Sequence, residues 1–371
     1  MKIVCETGTI ADAVQRAARV APNKGAAFEK AQGVVIEFDG NLVTITSTDL
    51  EVTYRQMFMP LKADDEPWTV RLPSAVLSGF IGGLPMGAGS SVTMEPGRPN
   101  TGVLADLVHV ESGRTQAKFH SIDMDGFPRI HKYPTTSLQE VSNFARRVQQ
   151  VAFATDQKDP GVLAGVHIDG EYLWGCDRQR LARVKCVIPI SAPVTVPLAP
   201  LAGVLKNTAD LKLGVLDDRF IMQPDDDTQA TSIIYAGAYP AVTTLMHRYV
   251  FEGRAVFSIS AMTNALTRML VLCRDDRYPR VEVTFRPTDE RIDLEMIVPG
   301  IGQMNDEVPC QFEDFPTHVT YSMTPTYLLE GLAVATGPNI VMELGDDPLK
   351  PIILDDGDGY RYLMMPRAPG T

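Results

Sequence analysis

The sequence predicts an α+β fold made of three similar domains in tandem. One observation behind this is that a helical segment followed by two alternating strands occurs three times, at intervals of about 120 to 130 residues. Another is that each copy continues with a second helix and further strands. Each domain can therefore pack two helices on one side of an antiparallel sheet, so that both layers bury an apolar face. The predicted domains are 1–125, 126–250 and 251–371.

Each copy begins with a segment in which apolar residues return at helical spacing. In the first segment Ile10, Val14 and Ala17 fall on one face, and Pro22 marks the end. A Ser or Thr at the start of a helix can accept a hydrogen bond from the first free backbone N–H groups. The three helices are predicted at 9–21, 142–155 and 260–273, with Thr9 as the N-cap of the first and Ser142 and Ser260 opening the others.

Two strands with alternating apolar residues, joined by a short turn, follow each first helix. The turns at 39–41 and 169–171 read Asp-Gly-Asn and Asp-Gly-Glu, which are residue types that favour tight hairpins. The predicted pairs are 34–38 with 42–46, 162–168 with 172–176, and 281–285 with 291–296.

The second helix of each copy lies about 40 residues beyond the strand pair. Two of these helices carry a proline near their first turn, and two end at glycine, as helix termini commonly do. The helices are predicted at 73–85, 200–209 and 324–337. The strands that follow them are predicted at 91–96 and 107–112, at 211–216 and 219–224, and at 340–345 and 360–366.

Composition limits the classes of function. The chain has 371 residues and a formal net charge of -12, so its whole surface cannot be adapted to grip nucleic acid, although basic residues confined to one face remain possible. No apolar run reaches the length of a membrane span, and the first residues lack a signal-peptide core, which predicts a cytoplasmic protein. The five cysteines are scattered without metal-ligand spacing and predict free thiols, with no metal and no cofactor.

An enzyme is the main rival to a binding protein, and no catalytic set is visible in the sequence. The run Asp355–Gly359 lacks the spacing of a calcium loop and predicts a polar hairpin turn instead. The run Gly87–Ser90 follows a helix and lacks the lysine of a phosphate-binding loop. A metal-dependent hydrolase is therefore the least favoured alternative. A non-catalytic, peptide-binding scaffold built of the same repeated domain is the other.

Four segments resemble the bacterial DNA polymerase III beta subunit, the DNA sliding clamp family. They are 33–52 (GVVIEFDGNLVTITSTDLEV), 83–88 (GLPMGA), 175–182 (GCDRQRLA) and 362–367 (YLMMPR), and they occur in the family's order over the whole chain. The resemblance implies a non-catalytic processivity factor for DNA replication, which forms a head-to-tail dimeric ring of six domains. The overall divergence suggests a phage-encoded or remote bacterial member.

The resemblance also implies that the helices face duplex DNA without reading its sequence. The first helix of each copy carries cations on its polar stripe or just after it, and the second helices carry few. Without the resemblance, these cations are ordinary solvated charges. The DNA-binding residues that the resemblance implies are Lys24, Arg16, Arg19, Arg146, Arg147, Lys158, Lys206 and Arg268.

Two further surfaces are implied by the resemblance. One is an apolar pocket for short peptides of the replicative polymerase, the clamp loader and other partners. It comprises Cys176, Arg178, Arg180, Leu181, Pro240, Leu245, Tyr327, Leu363, Met365 and Arg367. Arg178 and Gln179 stand where the family has Gly and His, and Leu181 and Met365 are also consistent with plain core positions. The other surface is the homodimer seam, with Phe119, Val271 and Leu272.

Overall fold

The computed structural model describes residues 1–22, 26–97, 107–130, 132–158, 161–197, 210–251, 253–273, 279–315 and 318–368, without the side chains of residues 26–28. The chain forms two compact units. The first unit contains Met1–Ala145 and Val196–Ile234, and the second contains Arg146–Thr195 and Tyr235–Thr371. Within the described ranges, no helix is both long and apolar enough to cross a lipid bilayer.

The helices and strands alternate along the chain in a recurring order. The α-helices are α1 (Thr7–Val20), α2 (Ser74–Gly82), α3 (Phe144–Ala152), α4 (Val242–His247), α5 (Ile259–Leu270) and α6 (Pro325–Val334). Short 3₁₀ turns occupy Ala26–Ala31, Val162–Ala164 and Pro287–Asp289. The strands are β1 (Ile3–Glu6), β2 (Val34–Phe38), β3 (Val43–Thr48), β4 (Val52–Phe58), β5 (Lys62–Ala63), β6 (Trp68–Leu72), β7 (Ser91–Pro96), β8 (Leu107–Ser112), β9 (Thr115–His120), β10 (Gln139–Ser142), β11 (Val166–Ile168), β12 (Tyr172–Cys176), β13 (Arg180–Lys185), β14 (Val194–Val196), β15 (Asp210–Leu216), β16 (Arg219–Gln223), β17 (Thr228–Ile233), β18 (Gly253–Ser258), β19 (Val281–Arg286), β20 (Arg291–Val298), β21 (Gly302–Glu313), β22 (Val319–Met323), β23 (Asn339–Leu344), β24 (Ile352–Asp355) and β25 (Tyr360–Met364).

The first unit has two antiparallel sheets with helices packed against them. The five-stranded sheet has the order β5-β1-β7-β8-β9, and the eight-stranded sheet has the order β10-β15-β16-β17-β4-β3-β2-β6. Helix α1 buries the stripe Ile10, Val14 and Ala17 against β3 and β4. The Oγ of Ser47 on β3 donates a hydrogen bond of 2.7 Å to the carbonyl of Ala17, so a buried hydroxyl fixes the helix to the sheet.

The second unit is built on one sheet of the order β14-β11-β12-β13-β25-β24-β23-β18-β21-β20-β19-β22. Helices α5 and α6 pack together, and α5 packs on β18 and β21. Strand β21 changes partner along its length: Gly302–Pro309 pair with β20, whereas Cys310–Glu313 pair with β18. The side of β21 facing away from β20 is therefore unpaired over Gly302–Pro309 among the described residues.

The α+β fold and most elements agree with the sequence-based expectations, and the differences are local. The expected helix at 200–209 lies outside the described residues. Helix α1 begins at Thr7 after Glu6, so the N-cap prediction for Thr9 was wrong. The Thr9 hydroxyl instead donates to the Glu6 carboxylate at 2.8 Å. Ser258, rather than Ser260, caps α5, with Oγ accepting from the Ala261 N–H at 3.4 Å.

Two other differences arise at a glycine and at a residue with left-handed backbone. The expected strand 162–168 is divided into a 3₁₀ turn and the short strand β11, with Gly165 between them. Helix α3 begins two residues later than Ser142, because Ser142 still belongs to β10 and Asn143 takes a left-handed conformation with φ of 57°. Domain limits near 125 and 250 stay a prediction.

A buried arginine fixes the loops at one end of the first unit. Arg71 on β6 is 2% exposed, and its guanidinium donates to the backbone carbonyls of Gln32, Asp123 and Glu29 at 2.5, 2.7 and 2.9 Å. The ring of Phe127 lies 5.1 Å from its Cζ. One side chain thus ties the segment after residue 28 and the segment around residue 123 to the eight-stranded sheet.

We expect Arg71→Met to lower the free energy of unfolding by about 3 kcal/mol, because it leaves three partly buried hydrogen bonds to backbone carbonyls unmade and removes a cation that holds two segments to the sheet. Arg129→Met, which removes an exposed arginine from the same unit, is the matched control. Urea unfolding followed by tryptophan fluorescence measures the difference. Equal unfolding midpoints for the two variants would contradict the structural role assigned to Arg71.

Candidate functional site

The second unit contains an apolar cluster that joins residues from distant parts of the chain. Four strands and one helix contribute to it, and its outer members are only partly buried. The buried members are Trp174, Cys176, Leu181, Val242, Met246, Ile353 and Leu363, and the partly buried side chains packed against them are Leu163, Tyr172, Tyr239, Tyr249, Phe251 and Met365. We call this set the apolar cluster.

Strand register explains why four of these side chains meet. Cys176 on β12 lies opposite Leu181 on β13, Leu181 lies opposite Leu363 on β25, and Leu363 lies opposite Ile353 on β24. Directly opposite residues of antiparallel strands point to the same face of a sheet. The four side chains therefore form one row across the sheet, and the last strand of the chain is in the middle of that row.

Helix α4 and the turn before it cover this row. Val242 and Met246 are one helical turn apart and are 4% and 2% exposed, whereas Leu245 is 37% exposed. The ring of Tyr239 stacks on the ring of His167, with centroids 4.4 Å apart. Burial lowers the pKa of His167, which keeps the stacked ring neutral at pH 7.

Cys176 and Leu363 are thus placed with Leu181 and Met365 as the resemblance implies, but Arg180 and Tyr327 are not part of the cluster. Arg180 precedes Leu181 on β13 and so points to the other face of the sheet. Its guanidinium lies 4.2 Å from the ring centre of Tyr327 on α6, and it forms ion pairs with Asp177 at 2.8 Å and with Glu330. Arg180 therefore ties β13 to α6 instead of lining the cluster.

The remaining predicted pocket residues lie at the edges. The Asp177 carboxylate accepts from the N–H groups of Gln179 and Arg180 at 2.7 and 2.6 Å, which forms a tight turn with Arg178 exposed at its tip. Pro240 is exposed beside Tyr239. The backbone N–H of Arg367 donates to the Ser322 carbonyl on β22 at 2.8 Å, so this residue follows a different strand from the cluster.

Several members of the cluster were absent from the sequence-based set, and one pattern could have identified some of them. Tyr172, Trp174 and Cys176 alternate along β12 and so share a face, which is visible in the sequence. Ile353 and Phe251 could not have been found this way, because only the pairing of distant strands and the path of the chain after α4 bring them here.

The cations predicted to contact DNA lie mostly on helices, and three of them, Arg16, Arg147 and Arg268, are paired with carboxylates. Arg16 Nε donates to Asp12 Oδ1 at 2.9 Å, one turn earlier on α1. Arg147 Nη2 lies 3.2 Å from Asp358 Oδ2. Such exposed pairs are weak and exchange readily with other anions. Arg19, Arg146 and Lys158 are exposed, and Lys24 and Lys206 lie outside the described residues.

The predicted seam residues of the third copy lie beside an exposed apolar surface. Val271, just after α5, is 72% exposed, and Ile297 and Ile301 on the β20–β21 hairpin are each 62% exposed. Leu272 Cδ2 is 3.9 Å from the position that a Cβ would take at Gly302, so the end of α5 contacts the start of β21. Arg268 in the last turn of α5, a predicted DNA contact, pairs at 2.6 Å with Asp306 on β21.

Phe119, the predicted seam residue of the first copy, is on the edge strand β9. Its side chain is only 8% exposed, and its ring packs edge-on against Phe80 with centroids 5.5 Å apart. The exposed side chains of β9 include Lys118 and His120. Among the described residues, β9 pairs only with β8 and so offers one row of free backbone groups.

The acidic run near residue 355 is used within the fold. The Asp356 carboxylate accepts from the backbone N–H groups of Asp358, Tyr360 and Thr336 and from the Thr336 hydroxyl, at 2.7 to 3.2 Å. This matches the polar hairpin turn that the sequence predicts. Over the described parts of the chain, no group of three His, Cys, Asp or Glu side chains is placed to hold a metal ion.

No family model matches the chain. A curated beta sliding clamp from Streptomyces coelicolor is 26% identical over 397 aligned positions, with 99% of each chain covered. Solved DNA polymerase III beta subunits share the fold. The one from Thermotoga maritima has a TM-score of 0.82 at 18% identity, and the sliding clamp from Bacillus subtilis has 0.80 at 20%, each with 99% of both chains covered. A griselimycin-bound clamp from Pseudomonas aeruginosa has 0.81 at 18%, with 99% of both chains covered. The resemblance to this family is confirmed over the full length of the chain.

The thiol of Cys176 provides a test of the packing of the cluster. Burial raises the pKa of Cys176 to about 11, so at pH 8 only about one thiol in a thousand is ionised, against about one in four for an ordinary cysteine. All five cysteines are buried. We expect the native protein to react with Ellman's reagent at pH 8 at least about a hundredfold more slowly than the protein unfolded in urea.

Arg178→Cys places a thiol at an exposed position two residues from Cys176 and is the matched control. This variant should release one equivalent of thionitrobenzoate from the reagent rapidly. If the native chain released thiolate as fast as this variant, the buried position of Cys176 would be wrong.

Proposed function

We propose that this chain is a DNA sliding clamp, a processivity factor that catalyses no reaction and holds the replicative polymerase on its template by encircling duplex DNA. The observation that carries this proposal is the match to a curated beta sliding clamp along the full length of both chains. The shared fold of the solved beta subunits agrees with it. It works in the cytoplasm, where it meets the DNA, the polymerase and the clamp loader.

Two copies form the ring, head to tail, with three domains each, of 1–125, 126–250 and 251–371. The seam pairs the first domain of one copy with the third domain of the other, so that the same interface occurs twice. Two features support this. Strand β9 and residues 302–309 of β21 each have an unpaired edge within the described residues. Val271 and the neighbouring isoleucines expose apolar surface that association would bury.

Charge complementarity favours the same seam. Strand β9 presents Lys118, whereas β20 and β21 present Glu295 and Glu307. Opposite charges on adjoining strands attract, and like charges would disfavour pairing of two β9 strands or two β21 strands. The seam residues proposed from the resemblance are Phe119, Val271 and Leu272. Phe119 supports the edge from within its own unit, because it is buried against Phe80.

The DNA-facing cations hold the duplex loosely. Lys24, Arg16, Arg19, Arg146, Arg147, Lys158, Lys206 and Arg268 are the proposed contacts. Three of them, Arg16, Arg147 and Arg268, already pair with carboxylates, so a phosphate must compete with Asp12, Asp358 or Asp306. Each neutralised phosphate adds about one to the steepness with which log affinity falls against log salt. A protein that makes only a few strong phosphate contacts can therefore still slide along DNA.

Partner peptides bind at the apolar cluster. Partly buried Tyr239, Tyr249, Phe251 and Met365 surround a buried floor, which is the arrangement that accepts apolar side chains of an extended peptide. Of the pocket residues proposed from the resemblance, Cys176, Leu181, Leu363 and Met365 form this surface, and Leu245 and Pro240 adjoin it. Arg178 lies at its border, Arg367 follows β22 beyond it, and Arg180 and Tyr327 support it from the opposite face of the sheet.

Retention on closed DNA tests encirclement. When the loader of its own replication system places the protein on a nicked circular plasmid, we expect the protein to remain with the DNA through gel filtration in 0.5 M salt. Cutting the plasmid once should release it within minutes, because a ring slides off an end but cannot leave a circle. Release at equal rates from circular and linear DNA would refute the clamp and leave a peptide-binding scaffold.

The seam has its own test. We expect Val271→Asp to convert the dimer to a monomer at micromolar concentration, because a carboxylate would be buried in an apolar contact without a partner. Light scattering coupled to gel filtration measures the mass. Leu349→Asp, which alters another exposed apolar residue of the same unit, should leave the dimer intact. A dimer that survives Val271→Asp would place the interface elsewhere.

A further inference from the structure

Two cavities of the second unit share two arginines and lead away from the apolar cluster. The smaller, of about 250 Å³, is lined by Met246, Tyr249 and Phe251 together with Arg254 and Arg361. The larger, of about 490 Å³, is lined by the same two arginines, by Arg183 and by the turn after β24. Both cavities have Arg254 and Arg361 in their walls, so they adjoin each other at these arginines, and the smaller one borders the apolar cluster. We call the two cavities together the arginine groove.

Two of these arginines face each other across neighbouring strands. Arg183 on β13 lies directly opposite Arg361 on β25. Like charges in this position repel, and the pairing persists only where something compensates. Arg361 is compensated, since it pairs with Glu343 and lies 3.1 Å from Asp355. The repulsion therefore acts mainly on Arg183.

Arg183 forms no ion pair with a carboxylate in the described part of the chain, and Asp355 and Glu171 act on it only from a longer distance. Its guanidinium lies 4.6 Å from the ring centre of Tyr172 and 5.8 Å from that of Trp174, both in the apolar cluster. Its Nε is buried without a hydrogen-bond partner in the described part of the chain. Burial lowers the pKa of Arg183 and the neighbouring Arg361 lowers it further, while Tyr172, Asp355 and Glu171 offset part of this lowering. A cation held in this way is stabilised by an anion that enters the cavity.

The carboxylates already in the groove do not serve this purpose. Asp356 is saturated by backbone N–H groups and the Thr336 hydroxyl. Asp355 and Glu343 are taken by Arg361. Arg254 is about half exposed and pairs at 3.1 Å with Glu313, an exposed pair that another carboxylate can displace. The groove thus offers two arginines, Arg183 and Arg254, to an incoming acid.

We propose that the arginine groove binds carboxylate side chains next to the apolar anchor of a partner peptide, so that this chain selects partners with an acidic flank. This inference rests on the proposed peptide site. In a chain of net charge -12, an acidic peptide is repelled over most of the surface. Arg183 and Arg254 beside the apolar cluster give the carboxylates of such a peptide one place where they are attracted.

Four synthetic peptides test the proposal, each labelled with fluorescein and amidated at the C-terminus. All contain Leu-Ser-Leu-Phe as the apolar segment. One glycine links this segment to a flank of either Asp-Asp or Asn-Asn, and the flank stands either before or after the segment. We expect the Asp form of one of the two orders to bind about tenfold more tightly than its Asn form in about 50 mM salt, by fluorescence anisotropy. The preference should shrink to about twofold in about 0.5 M salt, because exposed charges are screened.

Substitutions locate the effect. Arg183→Gln and Arg254→Gln should each remove most of the preference for Asp while changing the affinity for the Asn form by no more than about twofold. Arg254 is half exposed, so its variant is expected to fold even if that at position 183 does not. The control Arg280→Gln removes an exposed arginine on the approach to β19 and should retain the preference. Met365→Glu should weaken all four peptides.

The outcomes separate this inference from the function on which it rests. Equal binding of Asp and Asn peptides to the native chain would overturn the arginine groove and leave the apolar site standing. A preference that survives both Arg183→Gln and Arg254→Gln would also overturn it. If none of the four peptides bound, the groove and the peptide site would both be refuted, and retention on circular DNA would still decide on the ring.

Discussion

The pairing of β25 between β13 and β24 is the constraint on which the second unit depends. This strand is formed by residues close to the C-terminus, yet it supplies the middle of the row that joins Cys176, Leu181 and Ile353. Without β25, β13 and β24 would not be joined in one sheet, and α4 would have no continuous apolar row to pack on. The same strand positions Arg361 opposite Arg183. Apolar and charged parts of the candidate site are therefore set by one register, and neither can move without the other.

Periodicity was sufficient to find most helices and strands, because a buried stripe or an alternating face leaves a direct trace in the sequence. It failed where one residue leaves the regular backbone conformation, as at Asn143, and where the start of a helix depends on one capping residue, as at Thr9. Of the candidate site, the resemblance supplied Cys176, Leu181 and Leu363. It also supplied Arg180, because transfer by position does not distinguish the two faces of a strand. Alternation along β13 does distinguish them.

What no pattern could supply is the pairing of distant strands. The eight-stranded sheet joins β4 to β17, which lie about 175 residues apart in the chain, so the compact unit extends past the expected limit near 125. The arginine groove has the same origin, since Arg183 and Arg361 are far apart in sequence and meet only through register. Clusters of cations of this kind are formed by strand pairing, and neither the composition nor the local sequence pattern predicts them.

The edge of β21 over residues 302–309, which is unpaired among the described residues, has a consequence for the chain before it associates with another copy. A newly made chain exposes this edge to the strands of other proteins, and exposed edges of this kind are where aggregation into fibres starts. Glu307 and Pro309 on this segment make it a poor template for pairing with the same segment of another copy. The Glu307 carboxylates of two copies repel each other, and Pro309 has no backbone N–H to donate. The sequence thus disfavours aggregation of the unassociated chain, while the edge stays available to an oppositely charged strand.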